Sequence, residues 1–134
     1  MDLFTAMDIS ASGMRAQRTR MNVVSSNIAN AHTTRSATGG PYQRRDVVFR
    51  ENAFENKLSS VEVERIVSDP TPGQRVYEPG NPDADENGYV TLPNVNLMEE
   101  MVNMIGASQA FEANTTAVKA QKDMALKALA IGRI

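Results

Sequence analysis

The chain has 134 residues, 41% hydrophobic but only 5% aromatic and without tryptophan, so it has room for one modest domain with a lean core and none for a multi-domain enzyme. Fourteen basic residues against sixteen acidic ones leave a formal charge of -2, which removes any sequence-wide attraction to nucleic acid or to an anionic membrane. The lack of cysteine excludes disulfides, thiolate nucleophiles and most structural zinc sites.

In chain order, the start Met1-Asp2-Leu3-Phe4-Thr5 has neither the basic region nor the apolar stretch of a secretory signal, and no apolar run is long enough to span a bilayer. Met7, Met14, Met21 and Ile28 then recur every seven residues, with Leu3, Ala11 and Val24 on the same side. This predicts one amphipathic helix over Leu3–Ala29, about 40 Å long. Asn30, Thr33 and Thr34, followed by Gly39-Gly40-Pro41, supply its stop.

All six prolines lie in the middle of the chain. There, Tyr42–Arg50 and Leu58–Ser68 read as strands, the second with Val61, Val63 and Val67 in alternation. Shorter strands at Arg75–Tyr77 and Tyr89–Leu92 flank a Pro79–Gly88 loop. The expectation is a small antiparallel sheet whose edges need covering.

Asn96 with Glu99 three residues on is an Asn form of the capping box, and Glu100 also favours a helix start. From there Leu97, Met104, Phe111, Val118 and Ala125 form a heptad line, flanked by Met101 and Leu129 on one side and by Met98, Ile105 and Leu126 on the other. This predicts a second helix over Leu97–Ile131, about 50 Å long. The fold class is α+β: long N- and C-terminal helices packed as a coiled coil, with a small antiparallel β region between them. The divisions are 1–30, 31–94 and 95–134.

Candidate chemistry is sparse. Asp83-x-Asp85-x-Asn87-Gly88 matches the first half of a calcium loop, but position twelve is Asn94 where a bidentate glutamate is needed, and Pro79 and Pro82 forbid the preceding helix. A solvated Asp/Asn/Gly turn is the better reading, and Asp83, Asp85 and Asn87 remain only a weak metal candidate. His32, the single histidine, follows a helix end and suits carbonyl capping or solvent. Arg15, Arg18 and Arg20, and the Arg44-Arg45 spot, read as solvated or salt-bridged surface. No nucleophile triad, phosphate loop or dinucleotide fingerprint is present, so no catalytic residues and no cofactor are expected.

Two helices of this length carry apolar seams that a few short strands cannot cover, so each seam is expected to dock on the other and then on neighbouring molecules. The expected subunit-interface residues are Leu3, Met7, Met14, Met21, Val24, Ile28, Leu97, Met101, Met104, Phe111, Val118 and Leu129. Methionine suits contacts that repack between non-identical neighbours. Gly13 and Gly106 mark either close backbone approach or a tolerated cost of about 1 kcal/mol each.

Ser26-Asn27-Ile28-Ala29-Asn30 with Thr33 resembles the N-terminal signature of the flagellar rod and hook protein family. Asn94-Val95-Asn96, Glu99-Glu100-Met101-Val102 and Ser108-x-x-Phe111-x-Ala113-Asn114 are similar to its C-terminal signature. Gly39-Gly40-Pro41-Tyr42 with Val47-Val48-Phe49, and the Tyr77-Glu78-Pro79-Gly80-Asn81-Pro82 to Gly88-Tyr89 loop, look like the proximal-rod branch of that family. Family members often carry Arg and Tyr where this chain has Gln109 and Phe111. The resemblance implies a structural subunit of the basal-body rod, exported by the flagellar type III apparatus without signal cleavage and assembled in the periplasm into a hollow tube that transmits torque and passes export substrates. Implied partners are further copies, other rod proteins, the export apparatus and the base ring, with no nucleic acid and no direct membrane span. A soluble helical-hairpin binding module or export adaptor in the cytoplasm is the alternative.

Overall fold

The structure, a computed structural model, describes residues 2–54 and 58–133. In chain order it contains helix α1 (Leu3–Ala29), strands β1 (Arg45–Phe54), β2 (Leu58–Ser68), β3 (Arg75–Tyr77) and β4 (Tyr89–Thr91), and helix α2 (Leu97–Ile131). Both helices keep the bounds that heptad pattern and punctuation predict. The Asn96 side chain caps α2, accepting from the N–H groups of Met98 at 3.1 Å and Glu99 at 3.4 Å. At the end of α1, the Asn30 amide donates to the Ser26 carbonyl at 2.9 Å and its oxygen accepts from the Thr33 hydroxyl at 3.1 Å. The chain then turns through Gly39 and Gly40, whose φ values of +76° and +86° favour glycine.

The two helices run antiparallel. Asn27 meets Glu100, Arg18 lies over the Phe111 ring, Met14 meets Thr115 and Ser10 meets Gln121. Midway, a Cβ placed on Gly13 would lie 3.0 Å from Asn114 Nδ2, so Gly13 marks a close helix–helix approach. At Gly106 a Cβ would meet nothing within 4 Å, so within the protomer that glycine has no packing reason.

The other side of α1 carries the β1–β2 hairpin. Ser12 Oγ donates to the Ile9 carbonyl at 2.6 Å and accepts from the Val61 N–H at 3.1 Å, pinning strand to helix. The hairpin pairs from Arg45 opposite Ser68 to Phe54 opposite Leu58, with an irregularity at Val48/Phe49. β3 and β4 form a separate antiparallel ladder, so the described residues of the middle form two two-stranded sheets. The first strand starts later than predicted, at Arg45: Tyr42 is buried and its N–H donates to the Thr33 carbonyl at 3.0 Å. β4 ends at Thr91, although the Leu92 N–H still donates to the Gln74 carbonyl at 2.8 Å. A Cβ on Gly73 would run into the Leu92 carbonyl oxygen, so that approach requires glycine.

The buried apolar set is small: Ala16, Val23, Val24, Ala31, Tyr42, Val90 and Ala107. No described residue of β1 or β2 is fully buried. Three of these seven, Ala16, Val23 and Val24, lie on α1, which packs against α2 and against both strands of the hairpin.

Candidate functional site

Two features stand out: a buried polar junction at one end of the helix pair, and an uncovered apolar face on α2. The junction centres on Asn27, which is 0% exposed. Its Nδ2 donates to the Arg45 carbonyl at 2.8 Å and to Glu100 Oε2 at 3.0 Å. Its Oδ1 accepts from the Tyr42 hydroxyl at 2.9 Å and the Arg45 N–H at 3.0 Å. An asparagine offers two donors and two acceptor positions, and all four are used.

Glu100 is also 0% exposed, and its second oxygen accepts from Arg44 Nε at 2.6 Å. Burial works to lower the Arg44 pKa, but the hydrogen bond and charge of Glu100, with Asp46 alongside, outweigh it, and the guanidinium is held above its ordinary value. Asn94 completes the junction: its Oδ1 accepts from the Arg44 N–H at 2.8 Å and its Nδ2 donates to the Asp69 carbonyl at 3.1 Å. Residues from α1, the connector, the start of β1, the end of β2 and the start of α2 are therefore tied at one point.

This corrects the surface reading of Arg44, whose side chain is only 17% exposed and forms an ion pair with a fully buried carboxylate. Arg45 stacks over the Tyr42 ring at 5.7 Å. Glu100, read from the residues as a helix-start carboxylate and present in the C-terminal signature, faces inward because the first turn of α2 packs beside Asn27.

Of the motif residues, Ser26, Asn27 and Asn94 converge on the junction, Ser26 Oγ lying 3.3 Å from the Tyr42 hydroxyl. Asn30 and Thr33 close α1, and Asn96 caps α2. Phe111 lies beneath Arg18, at 5.9 Å from ring centroid to guanidinium carbon, and Asn114 packs against Gly13 while donating to the Ala110 carbonyl at 2.9 Å. Glu99 and Ser108 are exposed.

The proposed interface residues divide between the protomer's own packing and solvent. Val24 is buried within the protomer. Leu3, Met7, Met14, Met21, Ile28, Leu97, Met104, Phe111 and Val118 are half-buried. Met101 is 48% exposed and Leu129 67%. Three residues outside the expected interface set complete an open stripe with Met101: Met98 (72% exposed) and Ile105 (57%), which the pattern places beside the heptad line, and Val102 (67%). Spacings of three and four put them on one face of α2. A second exposed group, Met124, Leu126, Leu129 and Ile131, covers the helix's far end.

The calcium-like loop uses its carboxylates internally. Asp83 accepts from the Thr34 hydroxyl at 2.7 Å and pairs with Arg35 at 2.7 Å. Asp85 accepts from the N–H groups of Tyr89 and Asn87, each at 2.9 Å, and pairs with Arg75. The Tyr89 N–H, followed by the Asn87 N–H and Arg75, holds the Asp85 carboxyl below its ordinary value against the cost of desolvation. Among the described residues no group of three or more His, Cys, Asp or Glu side chains is arranged to hold a metal ion. No described helix is long and apolar enough to cross a membrane.

Residues 7–35 match the family described as flagella basal body rod protein, and residues 86–131 match the C-terminal region described for the flagellar basal body rod FlgEFG proteins. The chain is 41% identical to the flagellar basal-body rod protein FlgC of Salmonella typhimurium, over 99% of this chain and 100% of that one. The chain belongs to the FlgC family of flagellar basal-body rod proteins. The FlgC of Borreliella burgdorferi is likewise 41% identical, over 98% of each chain. The FlgC of Aquifex aeolicus is 47% identical over 92% of each. The two general family matches fall on α1 with its stop and on β4 with α2, leaving the β1–β2 hairpin between them. The similarity to FlgC chains runs through that middle as well.

Proposed function

We propose that this chain is a structural subunit of the flagellar basal-body rod that completes its core by packing against neighbouring subunits. The observation that carries the reading is the Met98, Met101, Val102 and Ile105 stripe, which the protomer's own elements leave open. A contiguous apolar helix face of this kind is a partner surface in a soluble chain. Membership of the FlgC family supplies the partner class, namely other rod components, and disfavours the cytoplasmic adaptor.

In finer detail, segments 1–30 and 95–134 form the inner helical layer of a hollow tube and segment 31–94 lies outside it. Torque passes through many buried side-chain contacts, and the tube leaves a path for export substrates. The subunit reaches the periplasm through the flagellar export apparatus with its first residues uncleaved and lies near the base ring. It performs no catalysis: its buried carboxylate, Glu100, is committed to Arg44 and Asn27.

The test is a Val102→Lys/Ile105→Lys double variant expressed in a strain lacking the wild-type gene. Both positions are exposed, so the monomer's thermal unfolding changes little. Motility and recovery in detergent-extracted basal bodies are expected to be lost. Normal swimming would overturn the reading.

A further inference from the structure

The loop between β3 and β4 has features that the junction and the α2 stripe do not use. Tyr77 and Tyr89 are 62% and 42% exposed and pack edge-to-face with ring centroids 5.3 Å apart. Arg75 lies over Tyr89 at 5.1 Å and is itself held by Asp85. Backbone bonds lock the loop: the Glu78 N–H donates to the Gly88 carbonyl and the Gly88 N–H to the Asp85 carbonyl, each at 2.9 Å. Gly88, at φ +83°, lies where a Cβ would strike the Tyr77 ring. The result is a rigid exposed aromatic knob, the kind of surface that dominates interface energetics and loses little entropy on docking. At its rim, Glu78 and Glu86 are exposed and have no cation within ion-pair distance among the described residues.

The complementary surface lies elsewhere on the same chain. An open cleft of about 470 Å³ lies between α1 and the hairpin, lined by Ser12, Arg15, Ala16, Val61 and Glu62 among others; Glu62 is paired with Arg50 at 3.0 Å, so Arg15 is the unpaired charge of the described lining. Arg15 is exposed, and among the described residues it meets no carboxylate within ion-pair distance. The acidic knob cannot reach Arg15 in its own protomer. Asp83 ties the loop to Thr34 and Arg35, beyond the end of α1, whereas Arg15 lies about 20 Å back along that helix at 1.5 Å per residue.

We propose that the Tyr77–Tyr89 knob of one copy docks in the α1–β2 cleft of the next copy, with Glu78 and Glu86 facing Arg15. The contact joins two different patches, so it is heterologous and repeats around a ring or along a helix. Opposite charges set its register. The proposal rests on the rod-subunit reading and names one of the surfaces by which copies meet.

Because the chain has no cysteine, engineered ones report cleanly. A chain carrying both Arg15→Cys and Glu86→Cys, tested in cells that swim and in basal bodies purified from them, should give crosslinked species of two or more copies on treatment with a short bis-maleimide. Either single variant should give none. A crosslink only to a different protein, or no crosslink from variants present in the basal body, would overturn the proposal while leaving the rod reading standing. Absence of a motile variant from purified basal bodies would overturn the rod reading and this proposal with it. Charge exchange provides a second readout: Arg15→Glu should reduce swimming about tenfold or more, and adding Glu86→Arg to the same chain should restore it. Failure of the second change to restore swimming would count against the pairing.

Discussion

Asn27 on α1 donates its side-chain amide to the Glu100 carboxylate on α2 across 3.0 Å, with both residues wholly shielded from water. The opposite oxygen of Glu100 takes Arg44, so one buried negative charge is shared between the helix pair and the start of β1. Removing the cation leaves that charge buried without its counter-ion.

Arg44→Met is therefore expected to destabilise the monomer by about 3–5 kcal/mol, read as a fall in the urea midpoint. Adding Glu100→Met should recover much of the loss, because the orphaned charge is then gone. A second change that worsens stability would show that the pair contributes more than it costs to desolvate.

The two helix glycines should respond in opposite ways. Gly106→Ala meets open space in the protomer and should stabilise the monomer by about 0.5–1 kcal/mol. Gly13→Ala must displace Asn114 and should not stabilise it. If Gly106→Ala stabilises the monomer in thermal unfolding yet impairs motility, the glycine is there for a neighbouring subunit.

Much of this architecture was legible in the amino-acid order because the signals are local. Heptad spacing from Met7 to Ile28 and from Leu97 to Ala125, with the Asn30 stop and the Asn96 cap, defines both helices. What escaped was tertiary. Nothing beside Glu100 in sequence distinguishes an inward carboxylate from an ordinary helix-start charge, since its partners Asn27 and Arg44 are far away along the chain. The seven-residue stripe likewise marks an apolar face without saying which part meets the protomer's own partner: Val24 is 4% exposed and Met101 48%. β1 runs past Arg50 through Glu51-Asn52-Ala53, poor strand formers that its pairing with β2 carries.

Acid should loosen the β3–β4 loop. The Asp85 carboxyl is held below its ordinary value by the Tyr89 N–H first, and Asp69 is held low by the Thr71 hydroxyl and N–H. For a depressed carboxylate the stabilisation is fully present above the unfolded value of about 3.9 and is lost as pH falls through the lower folded value. Tyrosine emission, undisturbed by tryptophan, should stay constant from neutral pH to just above that value and change below it. Asp85→Asn should remove the larger part of the change; an identical titration in that variant would contradict the assignment.

The most direct test of the central claim is the solvent access of the α2 face before and after assembly. With Ile105→Cys as the sole thiol, maleimide should label the purified monomer readily, because the position is 57% exposed there. In intact basal bodies the same thiol should be protected, with labelling slowed by about tenfold or more. Equal labelling rates in monomer and assembled rod would contradict the account.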